Sequence, residues 1–328
     1  MEKPVRRIGI LTSGGDAPGM NAVIRAVVRT AASKGIECVG IRRGYNGLIT
    51  GDIIRLDSDS VSRIINKGGT MLYTARSDEF LTEMGQSKAV ATCKQFGLDG
   101  IIGVGGDGTF RGLLALSKHG ISVVGIPATI DNDISCTDYC LGYDTAANTA
   151  VECIDRLRDT MQSHERCSVV EVMGHRAGHL ALYVGLATSA TAVLVPEKEL
   201  DFEDDIVESI RKARLGGKTH FMIIMAEGVG KATKMGERIE EELALDTRVT
   251  ILGHIQRGGT PSARDRVTAA SMGYEAVRAL AEGKTNRVIR SVSGKFDDID
   301  IDEALNMSKG LDEEQYEVLE AMTGIYVK

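Results

Sequence analysis

The sequence lacks the segments that mark membrane and nucleic-acid-binding proteins. No run of 18 apolar residues occurs in the 328 residues, so no membrane-spanning helix is expected. The apolar run at residues 8–11 is too short for a signal peptide. With 39 Lys and Arg against 46 Asp and Glu, the net charge of -7 gives no overall attraction to nucleic acid or to an anionic membrane. A protein of this charge that binds phosphates has to concentrate its arginines locally.

Cysteine pairs of the C-x-x-C type, low-complexity segments, linkers and short repeats are also absent. We therefore expect reduced, structural thiols in a cytoplasmic protein. A length of 328 residues suits one large or two medium domains, and 43% hydrophobic with 26% charged residues is an ordinary globular balance. The cysteines are Cys38, Cys93, Cys136, Cys140, Cys153 and Cys167.

Short β-branched segments alternate with longer helical patterns along almost the whole chain. Predicted strands are RIGILTS, IECVGIRRG, DGIIGVG, ISVVGIPAT, RCSVVEVMG, TAVLVPE, HFMIIMAEG and RVTILGHIQ. Predicted helices include PGMNAVIRAVVRTAASKG, which stops at Gly35, TAANTAVECIDRLRDTMQSH, EDDIVESIRKARLGG and RDRVTAASMGYEAVRALAEG. This alternation predicts βαβ units with right-handed crossovers and mostly parallel sheets.

We therefore predict an α/β fold of two Rossmann-like lobes, each a mostly parallel sheet covered by helices on both faces. The first lobe is expected to comprise residues 1–140 joined by about 255–305. The second is expected to comprise residues 141–254 joined by 306–328. In such sheets ligands bind at the carboxyl ends of strands, where the loops TSGGDAPGMN, GVGGDGT and PATIDNDI lie.

The loop TSGGDAPGMN follows a strand and opens a helix. Its backbone amides can therefore face a phosphate at the helix N-terminus, and Gly15 allows the chain to approach that group closely. A tight glycine turn without a ligand is the alternative.

The stretch GVGGDG, residues 103–108, matches the dinucleotide-binding pattern G-x-G-x-x-G but carries an aspartate, Asp107. In a dinucleotide loop the glycines bring backbone amides against a pyrophosphate, which a bare carboxylate repels. A bound Mg²⁺ reverses this argument, since hard cations take carboxylate and phosphate oxygens together. A Mg²⁺–nucleotide is therefore favoured, with an NAD site and a plain turn as alternatives.

The loop PATIDNDI supplies the candidate catalytic acid. It reads as an extended segment that contains Thr129, Asp131 and Asp133, with Thr129 expected on the side of Asp131. One acid would accept a proton from a substrate hydroxyl, while the other orders the loop or approaches the metal. An Asx-turn network without chemistry is the alternative.

Three further patterns bear on a P-loop, a zinc site and anion recognition. RLGGKTHF is not a Walker A motif, because Lys212 stands where the first glycine belongs and the stretch follows a helix. His175 and His179 have the i, i+4 spacing of a zinc pair but lack the H-E-x-x-H glutamate, so a metal is not expected there. His254 beside Arg257 suggests recognition of an anion or a hydroxyl, against an ordinary loop histidine.

Taken together, the motifs resemble those of bacterial-type ATP-dependent 6-phosphofructokinases over nearly the whole chain. GGDGT alone is weak evidence, because NAD kinases and diacylglycerol kinases carry it too. The matching segments, in order, are LTSGGDAPGMNAVIR, GGTMLYTAR, GGDGT, PATIDNDI, GYDTA, IDRLRDT, HERCSVVEVMG, MAEG and LGHIQRGGTPSARDR.

The resemblance implies a glycolytic kinase that transfers phosphoryl from MgATP to the 1-hydroxyl of fructose 6-phosphate. Asp107 would bind Mg²⁺, Asp131 would be the base, and Thr129 would lie near the transferred phosphoryl, with Arg76 also catalytic. Ile130 would lie beside the base. The implied ATP contacts are Gly15, Arg76, Ser77, Gly106, Asp107, Gly108, Thr109 and Gly112.

The resemblance also implies a homotetramer in which Arg166 and Arg248 reach the 6-phosphate of a neighbouring subunit's substrate, so that active sites are shared. These are the local arginines that an acidic phosphate-binding protein needs, since a guanidinium suits a phosphate dianion. No nucleic acid or membrane partner is expected. The other implied sugar-phosphate contacts are Thr129, Ile130, Asp131, Met173, Gly174, His175, Glu227, His254, Ile255, Gln256 and Arg257.

The chain departs from the family pattern in two places. His175 stands where many relatives have an arginine, with Arg176 next to it. In the effector pocket, Ser58 replaces an arginine, Arg63 an aspartate, and Thr191 the glutamate that faces the effector's metal. The residues that match the effector-binding cluster are Arg25, Arg29, Arg158, Lys218 and His220.

Two rival functions remain. A pyrophosphate-dependent enzyme of this family would carry an aspartate at Gly108 and a lysine at Ala128, which argues against that donor. A catalytically silent nucleotide-binding regulatory subunit would have no need of the base Asp131.

Overall fold

The computed structural model describes residues 4–323 and divides into two compact units. The first comprises the residues up to Ile130, Ile134–Thr145 and Arg257–Lys309; the second comprises Asp131–Asp133, Ala146–Gln256 and the residues from Gly310 on. The predicted lobe boundaries stay a prediction, and residues 1–3 and 324–328 of those lobes lie outside the described residues. Among residues 4–323, no helix is long and apolar enough to cross a membrane.

The first unit is built on a seven-stranded sheet, with strands and helices numbered in chain order. Its strands are β1 (Arg7–Thr12), β2 (Glu37–Ile41), β3 (Ile53–Leu56), β4 (Gly100–Gly105), β5 (Ser122–Pro127), β10 (Arg287–Val292) and β11 (Lys295–Asp300). They lie in the order β11-β10-β5-β4-β1-β2-β3. The inner strands are parallel, whereas β3 and β11 pair antiparallel with β2 and β10.

The helices of the first unit cross between these strands. They are α1 (Met20–Ser33), α2 (Gly44–Thr50), α3 (Glu83–Gln95), α4 (Asp107–Lys118), α9 (Ala263–Ala281) and α10 (Ile301–Asn306), with a 3₁₀ turn at Glu79–Leu81. α1 ends as predicted, because Gly35 adopts a φ of +70° just beyond it.

The second unit has a four-stranded parallel sheet in the order β7-β8-β6-β9. Its strands are β6 (Cys167–Val172), β7 (Ala192–Leu194), β8 (Phe221–Ala226) and β9 (Thr247–Ile251). Its helices are α5 (Tyr143–His164), which begins in the first unit, α6 (His179–Ala187), α7 (Ser209–Leu215), α8 (Ala232–Leu243) and α11 (Glu313–Thr323). A π-helical turn, Glu203–Glu208, runs into α7, and a 3₁₀ turn spans Gly253–Arg257.

The central strands are covered on both faces, as parallel sheets require. All six positions of β4 and all six of β8 are buried. Phe110, on α4, lies so close to β5 that a Cβ on Gly125 would come within 2.7 Å of its ring. The fold class predicted from the sequence, α/β with mostly parallel sheets and helices on both faces, is confirmed.

Three strands escaped the sequence analysis: β3, β10 and β11. β3 and β11 are edge strands, and β11, KFDDID, is not an apolar run: its first four residues alternate exposed and half-buried positions, and only Ile299 is buried. Its acids pair with basic residues: Asp298 with Lys284 and Arg287, at 2.6 and 2.5 Å. These strands depend on pairing partners distant in sequence, which local composition does not report.

One buried carboxylate joins the end of the β5–α5 connection to the start of α9. Asp265, fully buried, accepts hydrogen bonds from the Tyr139 hydroxyl at 2.7 Å and from the backbone amides of Gly142 and Thr145 at 2.8 and 3.0 Å. The Thr145 hydroxyl donates to it as well. Burial raises the pKa of Asp265, and these hydrogen bonds oppose that rise.

We predict that Asp265→Ala lowers the free energy of unfolding by about 2–4 kcal/mol, because buried donors lose their charged acceptor. Denaturant titration of purified protein measures this. The control is Glu282→Gln, which removes a half-exposed acid 3.7 Å from Arg278 near the end of α9 and should cost less than about 1 kcal/mol. Equal stability of the two variants would contradict the role of Asp265.

Candidate functional site

Loops leave the carboxyl ends of three neighbouring strands in the first unit. β4 pairs in parallel with β1 on one side and with β5 on the other. Residues 13–19 follow β1, Gly106 follows β4, and residues 128–130 follow β5. All three loops therefore begin at the same edge of the sheet, where ligands of such sheets bind.

Backbone hydrogen bonds hold these loops together. The Ser13 amide donates to the carbonyl of Val104 at 3.0 Å, and the Thr109 hydroxyl donates to the carbonyl of Ser13 at 3.1 Å. The Ala128 amide donates to the carbonyl of Gly105 at 3.0 Å. A Cβ on Gly105 would lie 2.3 Å from both the Ser13 carbonyl oxygen and the Thr109 hydroxyl, so only glycine allows this contact.

Asp107 is the first residue of α4, and Gly106 precedes it in an extended conformation. No side chain at the N-cap of this helix accepts a hydrogen bond from the backbone amides of its first turn. The Asp107 carboxylate is 46% exposed and lies 3.9 Å from Arg111. Around Gly108 the space is open, because a Cβ there would meet no atom within 4 Å. A half-exposed carboxylate beside helix amides suits a cation that carries phosphates.

Two other candidate nucleotide residues, Thr109 and Gly112, belong to this helix. Gly112 is buried under the ring of Tyr45, whose nearest atom would lie 2.4 Å from an added Cβ. The Tyr45 hydroxyl donates to the carbonyl of Thr109 at 2.5 Å, and burial raises the pKa of this tyrosine. Tyr45 thus packs so closely against Gly112 that no side chain fits there. Tyr45 was not predicted from the sequence, because nothing near GVGGDGT indicates this contact.

The guanidinium of Arg257 lies against the β1–α1 loop. Its Nη1 donates to the carbonyl of Asp16 at 3.2 Å, and a Cβ on Gly15 would lie 2.6 Å from that nitrogen. Gly15 is therefore the residue over which Arg257 lies. An arginine so placed adds positive charge to a loop predicted to receive phosphate.

Arg76 and Ser77 belong to a segment anchored on the same loop. The Thr74 hydroxyl donates to the carbonyl of Gly14 at 2.6 Å, and the Asn46 amide donates to the carbonyl of Arg76 at 2.9 Å. The side chain of Arg76 is exposed. Both residues are thus attached to the first unit close to the loop after β1.

The segment after β5 is a turn, and the predicted extended conformation is wrong. Ile130 and Asp131 form the turn, and Asn132 has a φ of +52°. A left-handed residue breaks the alternation that an extended segment would have. Ile130 and Asp131 are buried, whereas Thr129 and Asp133 are half-buried.

In the second unit, candidate substrate residues meet at the carboxyl ends of β6 and β8. Glu227 follows β8, and its amide donates to the carbonyl of Val172 at 2.9 Å. Its carboxylate accepts the backbone amide of His175 at 2.7 Å. Gly174 and His175 have φ values of +145° and +56°, so the loop after β6 turns sharply towards Glu227. The side chain of His175 is exposed, and so is that of Arg176.

Gln256 is fully buried in the 3₁₀ turn after β9, next to the exposed His254 and Ile255. Its Oε1 accepts the amide of Met173 at 2.9 Å. An amide can only donate, so this bond fixes the side chain and directs Nε2 away from Met173. Among residues 4–323, Nε2 has no hydrogen-bond partner. A buried N–H group that lacks an acceptor in the protein suits an oxygen atom of a ligand.

Arg166, just before β6, and Arg248, on the neighbouring strand β9, both contact Asp246. Arg166 pairs through Nε with Asp246, and Arg248 Nη1 lies 2.6 Å from the other oxygen of the same carboxylate. Asp246 was not among the residues predicted from the sequence. In the sequence Asp246 is visible only as an acid two positions before Arg248. Its contact with Arg166 follows from the register between β6 and β9.

The two histidines with the i, i+4 spacing lie in different elements. His175 lies in the loop, and His179 is the buried first residue of α6, so the two do not share a helix face. In the described part of the chain, no three His, Cys, Asp or Glu side chains could hold a metal ion together.

The residues that match an effector cluster occur in both units. Arg25 and Arg29 lie one turn apart on α1, with Arg25 half-buried and Arg29 exposed. Arg158 donates to the carbonyl of Thr188, while Lys218 is exposed and His220 half-buried before β8. Thr191 is buried, and its hydroxyl accepts the Met222 amide at 3.1 Å. Ser58 is half-buried and Arg63 is exposed.

A family model described as phosphofructokinase matches residues 7–280. The chain is 52% identical over 314 residues to a Clostridium botulinum protein named ATP-dependent 6-phosphofructokinase, covering 96% of this chain and 98% of that relative. It is 50% identical over 319 residues to a protein of the same name from Clostridium novyi, covering 97% of this chain and all of that relative.

A solved structure of phosphofructokinase from Saccharomyces cerevisiae has a TM-score of 0.86 and 33% sequence identity. The similarity covers 97% of this chain and 46% of the yeast chain, so this chain spans about half the length of that relative.

Proposed function

The chain belongs to the phosphofructokinase family, and we propose that it transfers the γ-phosphoryl group of MgATP to the 1-hydroxyl of D-fructose 6-phosphate. The products are fructose 1,6-bisphosphate and ADP, and the step belongs to glycolysis. The observation that carries the proposal is the Asp107 carboxylate at the uncapped start of α4, directly after a parallel strand. Such a carboxylate repels bare phosphates and suits phosphates that arrive with Mg²⁺.

Residues of the first unit would hold ATP. Asp107 would bind Mg²⁺, which neutralises charge on the transferred phosphoryl group. The amides at the start of α4 and in the β1–α1 loop would donate to phosphate oxygens. Arg76 would add charge stabilisation of the transition state. The other proposed nucleotide contacts are Gly15, Ser77, Gly106, Gly108, Thr109 and Gly112.

Asp131 would act as the general base and accept the proton of the 1-hydroxyl. Its burial is an advantage, since a base shielded from water interacts more strongly with the hydroxyl it activates. Thr129 and Ile130 precede it directly, so Thr129 can lie near the transferred phosphoryl group. Phosphoryl transfer needs little more from the protein than this positioning and charge neutralisation.

Residues of the second unit would hold the sugar phosphate. Glu227 would accept hydrogen bonds from sugar hydroxyls with the carboxylate oxygen that does not bind the His175 amide. The buried Nε2 of Gln256 would donate to a sugar or phosphate oxygen. Arg166 and Arg248 would bind the 6-phosphate of a neighbouring subunit's substrate in a homotetramer. The remaining proposed contacts are Met173, Gly174, His175, His254, Ile255 and, from the first unit, Arg257.

The donor should be ATP and not pyrophosphate. The open space at Gly108 leaves room for a nucleotide, which a longer side chain there would fill. We predict that purified protein with fructose 6-phosphate and Mg²⁺ turns over ATP at least 100-fold faster than pyrophosphate, measured in parallel coupled assays. Equal rates would contradict the choice of donor. ATP binding in calorimetry without any turnover would instead indicate a silent regulatory subunit.

Asp131→Asn keeps the size of the side chain and removes the proton acceptor. We expect kcat to fall roughly 10²–10⁴-fold, with a smaller change in KM. Steady-state kinetics with ATP and fructose 6-phosphate measure both constants. The matched control is Asp133→Asn, which changes the half-buried acid two residues along. An Asp131→Asn enzyme that retains more than a tenth of the wild-type kcat would contradict the assignment.

We further propose that a nucleoside diphosphate activates this enzyme only weakly. At the effector positions, Ser58 supplies no guanidinium, and the Thr191 hydroxyl already accepts a backbone amide. Losing a phosphate-binding arginine costs about 1.5–3 kcal/mol, on the order of tenfold to a hundredfold in affinity. A weakly bound effector shifts a two-state equilibrium only weakly.

We therefore predict little activation by ADP at micromolar concentration and sub-saturating fructose 6-phosphate. The measurement is initial rate against ADP concentration, and Thr191→Glu is the informative variant because it returns a carboxylate to this position. Strong activation of the unmodified enzyme by micromolar ADP would show that the pocket has other, sufficient contacts.

A further inference from the structure

A single carboxylate, that of Asp246, binds both arginines that are proposed to reach a neighbouring subunit's substrate. Arg166 donates from Nε to one carboxylate oxygen, and Nη1 of Arg248 lies 2.6 Å from the other oxygen while it donates to the carbonyl of Thr247 at 3.0 Å. The two bonds use different oxygens, so neither arginine has to leave for the other to bind.

The sheet register produces this arrangement. β6 and β9 are parallel neighbours in which Cys167 is paired with Thr247 and Ser168 with Arg248. The Cys167 amide donates to the carbonyl of Asp246 at 3.0 Å, so the residues just before the two strands lie side by side. Backbone pairing thus places Asp246 beside Arg166, and strand geometry places Arg248 two residues further along.

The three side chains form a partly exposed cationic group. The side chain of Arg166 is 29% exposed, that of Asp246 44% and that of Arg248 57%. Two guanidinium groups and one carboxylate leave a net charge of +1. Arg166 uses only Nε for Asp246, so the donors on its terminal nitrogens suit a phosphate dianion.

We propose that Asp246 is a positioning residue that holds Arg166 and Arg248 as a pair for the 6-phosphate of the substrate. The proposal rests on the proposed function. Without the acid, the two guanidinium groups repel each other, and each long side chain regains rotamers that binding must then freeze again. Asp246 therefore increases affinity for the phosphorylated sugar without touching it.

The opposing possibility is that Asp246 competes with the phosphate for the arginines. In that case its removal would raise the local positive charge and lower KM. Positioning predicts the reverse sign, so the direction of the change in KM separates the two. The contacts already made in this chain favour positioning, since each arginine uses one nitrogen for them and keeps its other N–H groups for an anion.

The test is steady-state kinetics of Asp246→Ala, Asp246→Asn and Asp246→Glu in the full-length enzyme. We expect Asp246→Ala to raise KM for fructose 6-phosphate on the order of tenfold, with kcat within about twofold and KM for ATP unchanged. Asp246→Asn keeps an acceptor but loses the charge, so its KM should lie between those of Asp246→Ala and the wild type. Asp246→Glu keeps the charge, so its KM should be closer to the wild-type value than that of Asp246→Ala.

Glu242→Ala is the matched control. Glu242 lies four residues away, is 47% exposed and binds the guanidinium of Arg238 at 2.6 Å in α8. Its removal should leave KM unchanged, and thermal melting of both alanine variants should match the wild type. An unchanged or lowered KM in Asp246→Ala, in an enzyme that is otherwise active, would overturn the proposal.

A mixing experiment separates this proposal from the one on which it rests. Inactive Asp131→Asn and Arg248→Ala chains, refolded together, should recover activity if Arg248 acts on the neighbouring subunit's site. Recovery together with an unchanged KM in Asp246→Ala would reject only the role of Asp246 and leave the shared site in place. No recovery despite exchange of subunits would reject the shared site, and an inactive wild type would reject the proposed function itself.

Discussion

The pairing of β4 between β1 and β5 is the constraint on which the rest of the first unit depends. Parallel strands bring their carboxyl ends to one edge, so glycine-rich loops far apart in sequence start side by side. Their spacing is then fixed by close contacts, above all the absence of a side chain at Gly105, where a Cβ would collide with the carbonyl of Ser13. α4 starts from this edge, which is why Asp107 and the helix amides face the same region.

Positive charge in this acidic chain is held in place by specific acceptors. Arg257 lies over the β1–α1 loop through the carbonyl of Asp16, and Arg166 and Arg248 meet at Asp246. Arg158 donates to the carbonyl of Thr188. Arginines that are held in this way lose less conformational entropy when an anion arrives, which favours phosphate recognition by a protein of net negative charge.

Much of the fold was predictable because buried parallel strands appear as uninterrupted apolar runs, as in β4 and β8. The edge strand β11 was not, because three of its six residues are acids and its stability comes from β10 and from ion pairs such as that of Asp298 with Arg287. The turn at Ile130 and Asp131 was also missed. Asparagine tolerates the left-handed conformation that Asn132 adopts, but the local sequence does not require it there.

By itself, the sequence determined the chemistry that is available: an aspartate among glycines, a pair of acids after a strand, and arginines spaced along an acidic chain. Motif order and the family resemblance added the roles those residues are proposed to have. Only the tertiary structure decided which groups meet. Tyr45 on Gly112, Arg257 on Gly15 and Asp246 between two arginines each join positions that local patterns treat separately, because strand register and side-chain packing, not sequence distance, set which atoms touch.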